Sequence, residues 1–174
     1  MKTLRLILSI SVFALLLQSC SIHSGQLSSL ASLVDASQTS YAKNSWTVSY
    51  GSYQAEVFPV LNKGEISFLN EFGDSLIFDG WVVREVSGLG VNRADWKVLH
   101  MSNSRRFLNK DRLVAEHLCS SWYTDKSSNM TKYSQECKSF ASYKNSILVD
   151  SQGFITLIRQ TVDGSSTYIK LSKN

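Results

Sequence analysis

Three kinds of residue in this 174-residue chain could do chemistry: its cysteines, its histidines, and a few aspartates at turn-like positions. The histidines are His23, His100 and His117. Glu116 stands beside His117, but adjacent residues point to different faces in a helix or a strand, so the dipeptide is not a ready acid–base pair. Asp74 with Asp79, or Asp150 with Asp163, could act as paired carboxylates for glycoside cleavage, which needs two carboxyls held roughly 5–9 Å apart. Most of these acids fall where turns are expected, and Asp is favoured there because it bonds to its own backbone. No G-x-S-x-G, P-loop, G-x-G-x-x-G or H-E-x-x-H pattern occurs. The expectation is a protein with no catalytic residues, no metal site and no cofactor. A serine–histidine–acid set assembled only by the fold is the alternative.

The cysteines are more informative. "LILSISVFALLL" (residues 6–17) follows Lys2 and Arg5 and leads directly into Gln18, Ser19 and Cys20. Spanning a bilayer takes about 20 apolar residues, so this run is short for an anchor and fits the apolar region of a secretory signal. Leu17-Gln18-Ser19-Cys20 resembles the bacterial lipobox. That resemblance implies cleavage before Cys20 and acylation of its thiol, with palmitate-type chains. One acyl chain holds a membrane only marginally, whereas two or more hold it firmly. Ser21, rather than an aspartate, follows the cysteine, which by the same resemblance implies the periplasmic leaflet of the outer membrane. Residues 1–19 are therefore expected to be a lipoprotein signal peptide, 20–26 a tether, and 27–174 a single β-rich domain.

Removing the signal leaves 174 − 19 = 155 residues, enough for one sizeable core. It also removes two basic residues, so the formal charge falls from +4 to +2 (16 basic against 14 acidic). Nothing in that balance points to nucleic acid as a partner. Export would leave Cys119 and Cys137 as an even pair in an oxidising compartment, where pairing is the default. They bracket "CSSWYTDKSSNMTKYSQEC" with no CxxC spacing, so a structural disulfide closing a hairpin or long loop is expected. In the chain-entropy model a loop of this size corresponds to roughly 3 kcal/mol.

The elements that would position these residues are mostly strands. Leu27, Leu30, Leu33 and Val34 recur at helical spacing and predict one short amphipathic N-terminal helix. From residue 45 the period changes to two: "SWTVSY" sets Trp46, Val48 and Tyr50 on one face. "YQAEVFPV" follows, with Pro59 confining its end to an edge or strand terminus. "GEISFL", "SLIF" and "WVVREV" come next, the last two joined through Asp79-Gly80, a strong hairpin signal. Residues 87–117 are harder to read and predict a loop and a short helix near "KDRLVAEHL". "KSFASY", "NSILVD", "FITLIRQTV" and "TYIKL" return to strands. The fold class expected is mainly β, an antiparallel sandwich or open barrel. In strands, tryptophan is more often core than ligand contact, although Trp46, Trp81, Trp96 and Trp122 could stack on sugar rings if exposed.

"YKNSILVDSQGFITLIRQTVDGSSTYIKL" resembles the final hairpins of the YjbF/GfcB family of capsule/exopolysaccharide lipoproteins, with Tyr143, Asn145, Val149, Asp150, Gly153 and Gln160 at matching positions. "DSLIFDGWVVREVSGLG" resembles that family's central element through Gly80, Val82, Val83, Gly88 and Leu89. Trp81 stands where the family often has arginine. The resemblance implies a mostly antiparallel β fold and a role in making or exporting capsule or exopolysaccharide, beside periplasmic and outer-membrane proteins of the export system. It carries no catalytic residue across.

The function expected is an outer-membrane lipoprotein acting as a non-enzymatic accessory factor, held to the membrane by its N-terminal lipid and contacting export proteins or a glycan. A glycan-processing enzyme and a pilotin-like envelope scaffold are the alternatives.

Overall fold

The structure, a computed structural model, describes residues 44–90 and 94–174. Cys20, His23 and the helix expected over 27–34 lie outside the described residues. Within them the chain is all strand and turn. In order come β1 (Trp46–Tyr50), β2 (Tyr53–Asn62), β3 (Glu65–Leu69), β4 (Ser75–Phe78), β5 (Val83–Gly88), β6 (Ala94–His100) and β7 (Ser104–Asn109). They are followed by β8 (Arg112–Cys119), β9 (Tyr123–Lys126), β10 (Met130–Lys138), β11 (Ser142–Asp150), β12 (Ile155–Thr161) and β13 (Tyr168–Lys173).

Every pairing is antiparallel, and the order runs β11-β12-β13-β1 and then through β2 to β8 in sequence, before β10. A further β10–β11 ladder joins the two ends. Twelve strands therefore close into a barrel, with β9 attached to β10 as a thirteenth. This corrects the expectation of a sandwich or open barrel. Alternation along a strand is the same in all three, and only long-range closure, which removes the free edges, tells them apart.

Turn chemistry accounts for most of the hairpins. Asp79 Oδ1 accepts the backbone N–H groups of Trp81 and Val82 at 2.9 and 2.8 Å, holding the β4–β5 turn over Gly80. Pro59 lies inside β2, where the strand outruns β1: the β1 ladder ends at Val57, while β3 pairs on to Asn62. Its missing N–H thus falls beside a local edge, as the sequence requires. The helix near "KDRLVAEHL" is not formed; Asn109 pairs with Arg112 across a two-residue turn and β8 follows. Lys110 and Asp111 take positive φ (47° and 63°), the geometry of a tight hairpin, without the glycine that would have signalled it. "KSFASY" is likewise broken by a turn at 139–141, between β10 and β11.

Inward positions make one core that includes Trp46, Val48, Phe68, Phe78, Phe107, Ile158 and Leu171. Trp46 meets Phe68 edge-on at 5.3 Å. The β12–β13 connection also turns inward, bringing Gly164 against Ala115 and Phe107 of the opposite wall. The interior there is packed. Outward positions carry ion pairs, among them Arg84–Glu65 and Arg106–Glu116, where a membrane barrel would carry an apolar band.

Candidate functional site: a buried arginine network

β7 alternates a pair of arginines across the wall. Arg106 faces out and meets Glu116 at 3.1 Å. Arg105 faces in and is fully buried. Its Nε donates to Gln135 Oε1 of β10 at 2.9 Å, and its Nη1 to Gln160 Oε1 of β12 at 3.1 Å. Gln160 in turn donates from Nε2 to the Trp81 carbonyl at 2.7 Å and accepts the Val83 N–H at 3.2 Å. Gln135 donates to the Ser120 carbonyl at 3.0 Å. Asn145 of β11 accepts the Thr161 N–H at 3.0 Å. The Gln160 bonds cross the interior, linking Arg105 of β7 to β12 and tying the β4–β5 turn to β12.

The charge balance is unusual. The ion pairs among the described residues are Arg84–Glu65, Lys97–Asp111, Arg106–Glu116 and Lys144–Glu136, and Arg105 belongs to none. Burial pushes its guanidinium down to about 10 from 12.5, with Tyr143 and Asp79 opposing that shift. A buried cation without a paired anion is costly, and leftover donors add to the cost. Here Arg105 Nη2, Trp122 Nε1 and Thr161 Oγ1 are all buried without a hydrogen-bond partner.

Trp122 reaches this network through a local irregularity. From Cys119↔Cys137 to Tyr123↔Ser134, the β8–β9 side advances four residues while β10 advances three. The extra residue makes a bulge over 120–122, a device that re-aims a side chain. Trp122 then packs on Trp81 at 5.4 Å, and Arg105 Cζ lies 5.8 Å from its ring centre. Tyr133 meets Trp81 edge-on at 5.5 Å. All three rings are half-buried, so they form the boundary between the arginine and solvent.

A second feature is a cleft of about 810 Å³ lined by Tyr53, Glu56, Phe58, Asn70, Phe72 and Asp74, among others. Its polar wall is internally bonded. Asp74 accepts the Tyr53 hydroxyl and, at 2.7 Å, Asn70 Nδ2, while Asn70 Oδ1 accepts the N–H groups of Phe72 and Asp74, both at 3.0 Å. Burial and Asp74 together hold the Tyr53 hydroxyl above its ordinary range.

The residues singled out by sequence fall into place as follows. Asp79, Asp150 and Asp163 accept local backbone N–H groups, and Asp163 also accepts the Tyr50 hydroxyl at 2.5 Å. Each aspartate of the two candidate pairs is thus engaged in local or turn-fixing bonds. His117 is buried with Nδ1 2.8 Å from the Tyr143 hydroxyl, while Glu116 faces outward; His100 is exposed. Among the described residues no group of three or more His, Cys, Asp or Glu side chains could hold a metal ion. Cys119 and Cys137 are joined by a disulfide. Sequence reading missed Arg105 and Gln135; the available signal was the "RR" pair in an alternating run, which must turn one arginine inward. Asn145 and Gln160, which carried the family resemblance, are buried polar residues, and half-buried Tyr143 meets His117.

No protein-family model matches the chain, and no curated protein matches it. Among solved structures it is similar to the hypothetical lipoprotein YmcC from Escherichia coli (K12), with a TM-score of 0.51 and 9% identity. The match covers 74% of this chain and 82% of that one. At this identity the likeness is one of fold.

Proposed function

We propose that this protein is an outer-membrane lipoprotein, anchored through Cys20 in the periplasmic leaflet, and that it acts as a non-enzymatic accessory factor in capsule or exopolysaccharide assembly or export. The observation that carries the reading is a convergence. Tyr143, Asn145 and Gln160, three of the residues behind the likeness to the YjbF/GfcB family, lie on inward-facing stretches of one barrel, and that barrel resembles a lipoprotein's. The engagement of Asp74, Asp79, Asp150 and Asp163 in local bonds supports contact rather than bond-making as its task. Its partners on this reading are periplasmic or outer-membrane proteins of the export system, or a glycan.

Deletion of the gene is expected to reduce surface polysaccharide under inducing conditions, with restoration by the wild-type gene and not by Cys20→Ala. Unchanged capsule and matrix in the deletion strain would refute the role in export. Mass spectrometry of the mature chain tests the anchor separately: a free Cys20 thiol, or retention of Met1, removes it.

A further inference from the structure

Arg105 is built into the barrel more firmly than a structural cation needs to be. Two amide oxygens, from Gln135 and Gln160, fix Nε and Nη1, which sets the plane of the guanidinium. The remaining nitrogen, Nη2, is left without an acceptor. The neighbouring indole Nε1 of Trp122 is a second donor without one. A set of buried donors and no anion calls for an acceptor that carries negative charge. The half-buried rings of Trp81, Trp122 and Tyr133 bound the same place. Aromatic faces suit the apolar side of a sugar ring, and a guanidinium fork suits a carboxylate.

We propose that Arg105, Trp122 and the adjoining aromatic rings form a binding site for an acidic sugar unit, whose carboxylate is received by Arg105 Nη2 and Trp122 Nε1. Trp122 sits on the bulged connection between β8 and β9 rather than in a ladder, and its half-buried ring lies at the border between Arg105 and solvent. The inference rests on the polysaccharide reading and narrows it to polymers that contain uronic acid residues.

The test is a titration of the ¹⁵N-labelled full chain, in detergent, with tetraglucuronate, with cellotetraose as the neutral match and with inorganic phosphate as the bare oxyanion. Tetraglucuronate is expected to shift the Trp122 indole N–H resonance and to bind more tightly than cellotetraose. Arg105→Lys keeps the charge but loses the fork, and should weaken binding by about tenfold or more. Trp122→Phe removes one donor while keeping a ring, and should weaken it as well even if the arginine variant does not fold. Equal response to cellotetraose would overturn the carboxylate assignment. An equal response to phosphate would overturn the sugar assignment. No response to any of the three would overturn the site, while a deletion strain lacking capsule would leave the wider functional reading standing.

Discussion

Cys119 and Cys137 face each other in register across the seam where β8 meets β10, and the disulfide joins them there. That ladder holds two residue pairs, Cys137↔Cys119 and Lys138↔Leu118, whereas β10 and β11 share nine, from Met130↔Asp150 to Lys138↔Ser142. Ser120 extends the seam slightly, donating its N–H to the Glu136 carbonyl at 2.8 Å. The covalent bond therefore lies where the closed wall has little backbone pairing to hold it.

Replacing both cysteines by alanine is expected to lower stability by roughly 3 kcal/mol, the chain-entropy value for a loop of this length. Because the seam closes the barrel, the loss should also be local. Amide exchange should accelerate at Cys119, Ser120 and Lys138 before it does in the β12–β13 ladder. Equal protection of both regions in the double variant would show that closure does not depend on the bond.

Gly88 makes a second, sharper case. Its φ is +97°, and a Cβ there would stand 2.3 Å from Asp74 Oδ1 and 2.8 Å from Asp74 Cα. Gly51 also has positive φ (+58°), but an added Cβ would meet nothing within 4 Å. Gly51→Ala should therefore cost only the backbone term, about 1–2 kcal/mol. Gly88→Ala adds overpacking against Asp74 and should cost about 2–5 kcal/mol in total. Denaturant unfolding of the two variants checks this; equal losses would mean that the Asp74 loop yields freely.

The local grammar of the sequence was largely readable, and its closure was not. Trp46 and Val48 point inward as their alternation requires, and Asp79-Gly80 makes the turn that its residues favour. Cys119 and Cys137 are paired, as the even cysteine count beyond Cys20 led one to expect. Lys110 and Asp111 misled because a tight turn was made without glycine, and the run behind them, Arg112 to Leu118, has helix formers at strand positions. Tertiary pairing with β7 outweighs that preference. Sandwich and barrel share the same alternation, so the β1–β13 ladder, which pairs the first described strand with the last, could not be inferred from pattern alone. Arg105 was invisible for a related reason: its meaning comes from Gln135 and Gln160, which lie 30 and 55 residues further along the chain.

His117 should make the protein sensitive to mild acid. It is buried, with Nδ1 2.8 Å from the Tyr143 hydroxyl and its ring 4.8 Å from that of Phe107. Burial lowers its pKa below the ordinary 6.5, with Asp163 pulling weakly the other way. Burial also pushes the Tyr143 hydroxyl up to about 12, so it remains neutral throughout this range. As pH falls below 6.5 the unfolded chain takes up its proton first, and from there down to the folded value the unfolded state holds more protons. Stability is thus intact above that point and declines as the pH drops through the interval between the two values. His100, although exposed at the surface, is lowered as well, by partial desolvation and by Arg105, and contributes with the same sign. Unfolding free energies measured from pH 7.5 down to about 4.5 should fall in wild type, beyond the general loss from its carboxylates. In His117→Gln, which keeps a polar group beside Tyr143 but cannot titrate, the decline should be shallower. An unchanged slope in that variant would assign the acid sensitivity to His100 instead.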